Sequence, residues 1–230
     1  MTRHRLALLI VVAAALPLVI AADDGFQDTF DVPKDQFVST GKNAYFSLEP
    51  GYRLTFEGKE DGKKLALVIT VLDETKTVDG VETRIVEERE TVNGKPIEVS
   101  RNYFAIDKRN NDVYYFGEDV DVYKNGKVAS HPGGWLSGVN GAHYGLFMPA
   151  KPAVGQKFQQ EFAPKEAMDR CEVVSMSEKL AVPMGNFDHC LKIKETTPLE
   201  SGKEYKIYAP KVGLLADEDL KLVKHGPTSN

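Results

Sequence analysis

The sequence predicts an all-β fold, an antiparallel meander of about ten strands curled into an open sheet, a half-barrel or a barrel. Three observations carry that expectation. Runs of alternating apolar and polar residues recur from Tyr52 onward. Asp79-Gly80, Asn93-Gly94, Asn110-Asn111-Asp112 and Asn125-Gly126 punctuate them every 14 to 17 residues, and Asn-Gly and Asp-Gly supply the positive φ that tight hairpins need. The connections are short everywhere except in His131 to Gly155. A β-sandwich is the alternative, but it calls for longer crossings between sheets, and only that one segment is long enough to make one.

Taken in order, residues 23–42 read as an extended lead-in without sustained period, and residues 43–224 as a single β domain. Tyr52 to Glu57 alternates and ends in the turn Lys59-Glu60-Asp61-Gly62. The next run, Lys64 to Val78, is apolar on both faces at Leu65 to Leu72, as a central strand would be. Val81 to Val92, Ile97 to Asp107, Val113 to Tyr123 and Lys127 to Ser130 continue the meander. Beyond Gly155 come Gln156 to Phe162, the hairpin Asp169 to Val182 with Phe187 to Thr196, then Glu204 to Ala209 and Val212 to Val223. Residues 225–230 read as a flexible tail.

Residues 1–22 have the pattern of a signal peptide: basic Arg3 and Arg5, the apolar run Leu6 to Ile20, and small residues at Ala21-Ala22. That run is shorter than the roughly 20 residues a membrane-spanning helix needs, so the expectation is export to the periplasm or outside, with no transmembrane segment once the signal is removed. Losing Arg3 and Arg5 leaves 27 Lys+Arg against 34 Asp+Glu, a net charge of −7 in place of −5. With lysines interleaved among acids there is no basic patch for phosphates, which argues against nucleic acid. Cys171 and Cys190 would enter an oxidising compartment. In a regular hairpin, however, Cys190 faces residue 181 and lies roughly 30 Å from Cys171, so a disulfide needs a strong bend or bulge.

The irregular segment His131 to Gly155 holds six glycines, three prolines, two of the five histidines and the single tryptophan. It is where a ligand site is expected, with Trp135 and Tyr144 lining the mouth of a cavity and His131 and His143 as polar groups. No ligand spacing for a metal is present, and a third donor would have to come from Asp119, Asp121 or His189. Glu118-Asp119-Val120-Asp121 lacks the glycine-spaced loop of a calcium motif and reads as a solvated strand face. Neither Ser130 nor Ser137 sits in a nucleophile elbow. Glu161, Glu166 and Asp169 are carboxylates of the kind glycoside chemistry pairs, but acids are too common here for their pairing to be informative. No catalytic residue and no cofactor is assigned. Alternation puts Tyr114 and Phe116 on one strand face and Tyr115 on the other.

At Asn43 to Gly51, at Val113 to Val120, at Val182 to Leu191 and at Tyr208 to Leu214, the chain resembles a group of exported bacterial β-rich proteins of unknown activity. The resemblance implies a β-rich envelope domain and carries over no functional residue. The functional expectation is a non-catalytic exported domain that binds an unknown protein partner or an apolar small molecule. Two alternatives stand beside it: a metal-dependent hydrolase using His131 and His143, and a periplasmic carrier of lipid or other hydrophobic cargo.

Overall fold

The computed structural model describes residues 25 to 228. The expected signal peptide lies outside the described residues. Sixteen strands follow in order: β1 Phe37–Val38, β2 Tyr52–Glu60, β3 Lys63–Val78, β4 Val81–Val92, β5 Lys95–Asp107, β6 Val113–Lys124, β7 Lys127–Ser130, β8 Trp135–Leu136, β9 His143–Met148, β10 Lys157–Gln159, β11 Glu161–Phe162, β12 Arg170–Val182, β13 Gly185–Thr196, β14 Glu204–Ala209, β15 Gly213–Asp217 and β16 Leu220–Pro227. Among the described residues, no helix is long and apolar enough to cross a membrane.

Thirteen of these strands form one antiparallel path, β10-β12-β13-β14-β15-β16-β2-β3-β4-β5-β6-β9-β11, nearly closed into a barrel. The turn residues behave as their chemistry requires, because Asp61, Asp79, Asn93 and Asn125 all adopt φ near +50°, the left-handed conformation that Asp and Asn tolerate. With every pairing on the path antiparallel and most connections local, the sheet curls rather than splitting into a sandwich.

Both edges of the sheet belong to one short segment. β10 pairs with β12, setting Phe158 opposite Cys171, while β11 pairs with β9, setting Glu161 opposite Tyr144. Gln160 hands the chain from one edge to the other. The backbone N–H groups of Gln160 and Glu161 both donate to the Asp169 carbonyl, at 2.8 and 3.1 Å. Gly145 makes this seam possible, since a Cβ there would lie 2.4 Å from the Gln160 carbonyl oxygen. The continuous strand expected from Gln156 to Phe162 is therefore broken at Gln160, because one straight strand cannot serve both edges.

One end of the barrel is capped. The loop from Gly41 to Gly51 folds across it, with the Leu48 N–H donating to Gly41, the Lys211 N–H to Ala44 and the Gly51 N–H to Val71. Phe46 inserts against Phe104 and Phe147, at ring separations of 5.1 and 4.9 Å. The lead-in packs along the outside. Phe37 sits edge-on to Phe116 and Tyr144, Arg84 donates to the Ser39 carbonyl at 3.0 Å, and β1 pairs with β5. Tyr114 and Phe116 face this outer layer, and Tyr115 faces inward onto Phe104 at 4.6 Å, as alternation predicts.

Other boundaries differ from expectation for identifiable reasons. Val212 to Val223 divides into β15 and β16 because Glu218, at φ +47°, turns the chain. The expected tail begins inside a strand: β16 pairs with β2 through Pro227, opposite Tyr52, and the Thr228 N–H donates to Gly51. Irregular register between β12 and β13 sets Cys190 opposite Glu178 and Cys171 opposite Glu195. The cysteines are thus seven positions apart along β12, roughly 23 Å; both are buried and free.

Candidate functional site

Inside the barrel, side chains from nine strands line a cavity of about 230 Å³. Its polarity follows from the strand register. On β5, Phe104, Asn102, Ser100 and Glu98 share the inward face, and on β4 their neighbours in the pairing include Val86 opposite Asn102, Glu88 opposite Ser100 and Glu90 opposite Glu98. Side chains of like parity share a face, so the interior runs from aromatic at the capped end to acidic at the other. Tyr45, Phe46, Phe104, Tyr115 and Phe147 surround the capped end.

The acidic part of the lining comprises Glu88, Glu98, Glu118, Glu161, Asp169 and Asp217. Lys206 is the one cation among the lining residues. Its ammonium lies 2.7 Å from Glu195 Oε2 and 3.9 Å from Asp217 Oδ2, so it is already engaged. Burial alone would depress Lys206, yet Glu195 and Asp217 hold it charged, well above the usual lysine range. Glu161 is in the opposite situation. It is 8 % exposed, it borders the cavity, and its carboxylate accepts no hydrogen bond from any described residue.

The electrostatics follow from that imbalance. Burial, reinforced by Asp169, Glu118 and Glu195, pushes the Glu161 carboxyl well above the ordinary range. Burial likewise raises Glu118 to about 8, with Glu88 and Glu98 adding repulsion and a hydrogen bond with Tyr115 opposing it. Glu88 and Glu90 are each pushed up to about 7, again chiefly by burial. Asp169 moves the same way, moderated by Lys206 and by a hydrogen bond from Thr197. A carboxyl shifted upward in a cavity is poised either to hold a proton or to give it up to a positively charged guest.

Beyond the acidic part the barrel opens. A wider cleft of about 650 Å³ is lined by Glu60, Glu90, Glu204, Glu218 and Asp219, and it shares Glu98 and Asp217 with the inner cavity. Glu98 and Asp217 therefore border both spaces, and acidic residues line the interior and the mouth alike.

The four residues marked from sequence lie elsewhere. None of His131, Trp135, His143 and Tyr144 lines the inner cavity. His131 and Trp135 border an outer cleft together with Asp119 and Glu166. There His131 Nδ1 lies 2.8 Å from Asp121 Oδ1, and Trp135 packs edge-on against Tyr115 with its indole nitrogen buried and without a hydrogen-bond partner among the described residues. His143 stacks on Phe162 at 4.0 Å. Tyr144 is fixed in the outer aromatic layer, its hydroxyl donating to the Phe30 carbonyl at 2.8 Å. Asp119 takes bonds from Lys76 and Tyr103, and Asp121 from Arg101, so that face is occupied by ion pairs. Among the described residues, no three His, Cys, Asp or Glu side chains come together as a metal site.

The sequence marks Glu118, Glu161 and Asp169 but gives no reason to join them, and it does not mark Glu88 and Glu98. The available signal was their parity: Glu88 shares a strand face with Val86, and Glu98 with Asn102 and Phe104. Family models, curated proteins and solved structures were all compared with the chain, and none matches.

Proposed function

We propose that this chain is a non-catalytic, exported binding domain that holds a small organic cation inside its barrel, with an ammonium among the carboxylates and an apolar part toward the aromatic cap. The observation that carries this reading is the Glu161 carboxylate, buried, facing the cavity and lacking a donor. An unpaired buried carboxylate costs several kcal/mol unless it is neutralised or paired. A guest ammonium supplies the missing charge and three donors.

The reading moves the expected site from the irregular segment to the interior and changes the guest from apolar to cationic. Cavity size bears on the alternatives, since about 230 Å³ falls below the 300–1,000 Å³ that drug-sized ligands occupy and suits a small amine better than a lipid. A hydrolase built on His131 and His143 has less support, because the two are engaged with Asp121 and Phe162 respectively.

Thermal denaturation at pH 8 in the presence of n-hexylamine or n-hexanoate tests it. The amine should raise the melting temperature in a saturable way and the carboxylate should not, and Glu161→Gln should remove the amine effect. Absence of any shift with the amine, or an equal shift with both compounds, sinks the proposal.

A further inference from the structure

We infer that the guest is a linear oligoamine, carrying two or more ammonium groups along an aliphatic chain and lying along the barrel axis from the inner carboxylates to the acidic mouth. The inference rests on the cation-binding reading above and extends it from one charge to several.

The geometry for a second positive charge is present. Inner cavity and mouth share Glu98 and Asp217, so the boundary between them carries carboxylates. Along β4, Glu88 borders the inner cavity and Glu90 the mouth. These positions are two residues apart on one strand face, about 6.6 Å, a separation that a short methylene spacer between two amino groups can match. Glu98 lies directly across from Glu90, placing a facing pair of carboxylates at the boundary.

Charge counting points the same way. A single ammonium at Glu161 would leave Glu88, Glu98, Glu118 and Asp169 without an ion-pair partner, since Lys206 is spent on Glu195 and Asp217. Glu60, Glu204, Glu218 and Asp219 continue the same sign outward, with Lys63 the only lysine or arginine among the described residues that border the mouth. A cleft of one sign between low-dielectric walls concentrates counter-ions and speeds their entry. The apolar stretches of an oligoamine would meet Leu67 and Ile69, which pair with Glu90 and Glu88 on the neighbouring strand, and Val86, one step nearer the cap. Divalent metal fits less well, because no group of three donors is assembled for it among the described residues.

Isothermal titration of the full mature chain at pH 8.5 with n-butylamine, 1,4-diaminobutane and spermidine tests this. Affinity should rise at least tenfold from the monoamine to the triamine. Glu90→Gln should reduce triamine affinity about tenfold while leaving the monoamine within threefold, and Asp73→Asn, at an exposed acid outside the mouth, should change neither. Glu60→Gln and Glu218→Gln, at the outer rim, stand in should Glu90→Gln fold poorly, with a smaller loss in the same direction. Equal affinity for all three amines overturns the inference and leaves the binding of a single cation standing. Failure of every amine to bind overturns both. Displacement of spermidine by equimolar Mg²⁺, or an equal loss in Asp73→Asn, shows attraction to the acidic surface at large and also overturns it.

Discussion

The two ends of the barrel interior are built from the same strands, yet burial acts on them with opposite sign. At the capped end, Phe104 and Phe147 each pack against Phe46, Tyr115 and one another with ring centroids 4.6 to 6.0 Å apart, and removing their surface from water stabilises the fold. Toward the mouth, burial raises the Glu88, Glu118 and Glu161 carboxyls above their ordinary range, Lys206 offsetting only part of it at Glu88 and Glu161, and each is destabilising while ionised. The capped end therefore supports the fold. The other carries a cost to folding that a guest of opposite charge would offset, the pattern expected where stability is given up for binding.

Five measurements would break or sharpen this contrast. The largest effect belongs to the capped end, where Phe104→Ala should destabilise the protein by about 3–5 kcal/mol in urea unfolding, the usual range for a buried phenylalanine. A loss under 1 kcal/mol would mean that the aromatic cluster does not anchor the fold. Next is the seam. Gly145→Ala forces a Cβ onto the Gln160 carbonyl and should cost about 3 kcal/mol by overpacking, with amide exchange accelerating first in β9 and β11; unchanged exchange there would place the closure elsewhere.

The acidic end should respond with the reverse sign. Glu161→Gln should stabilise the guest-free protein at pH 8.5 by about 1–2 kcal/mol, the low end of what removing an unpaired buried charge brings. That gain should vanish near pH 4.5, where the native carboxyl is already protonated. The same reasoning fixes the pH dependence of the wild type. Glu88, Glu90 and Glu118 have folded-state values of about 7, about 7 and about 8, against an ordinary 4.5. The folded state thus binds more protons than the unfolded one in between, and stability is highest below about 4.5 with respect to these groups and falls as pH rises through 7 to 8. A melting temperature that rises from pH 5 to pH 8.5 would contradict the upward shift of these acids. The smallest effect is expected at the irregular segment: His131→Ala removes an exposed pair with Asp121 and should shift stability by less than about 0.5 kcal/mol, leaving amine binding unchanged.

How legible the molecule was depends on which physical signal each part carries. Hairpins announce themselves locally, because Asp79-Gly80 and Asn125-Gly126 need positive φ whatever surrounds them. The parity of Tyr114, Tyr115 and Phe116 is equally local. The break at Gln160 was not legible, since it arises where two sheet edges meet and nothing within Gln156 to Phe162 encodes that meeting. Trp135, Tyr144, His131 and His143 attracted attention through residue type in a glycine-rich segment, but type does not say where a side chain points. Tyr144 went to the outer aromatic layer and His143 onto Phe162.

By itself, then, the sequence determined the all-β class, the antiparallel meander and the positions of most turns, because alternation and turn chemistry act over a few residues. Tertiary structure decided the closure through Gly145 and Gln160, the separation of the two cysteines and the gathering of Glu88, Glu98, Glu118, Glu161 and Asp169 around one cavity. Those residues come from five places in the chain, and each acid on its own looks like any solvated strand residue. Only when the sheet curls does one face of every strand become interior, and only then do their charges lose water and act on one another.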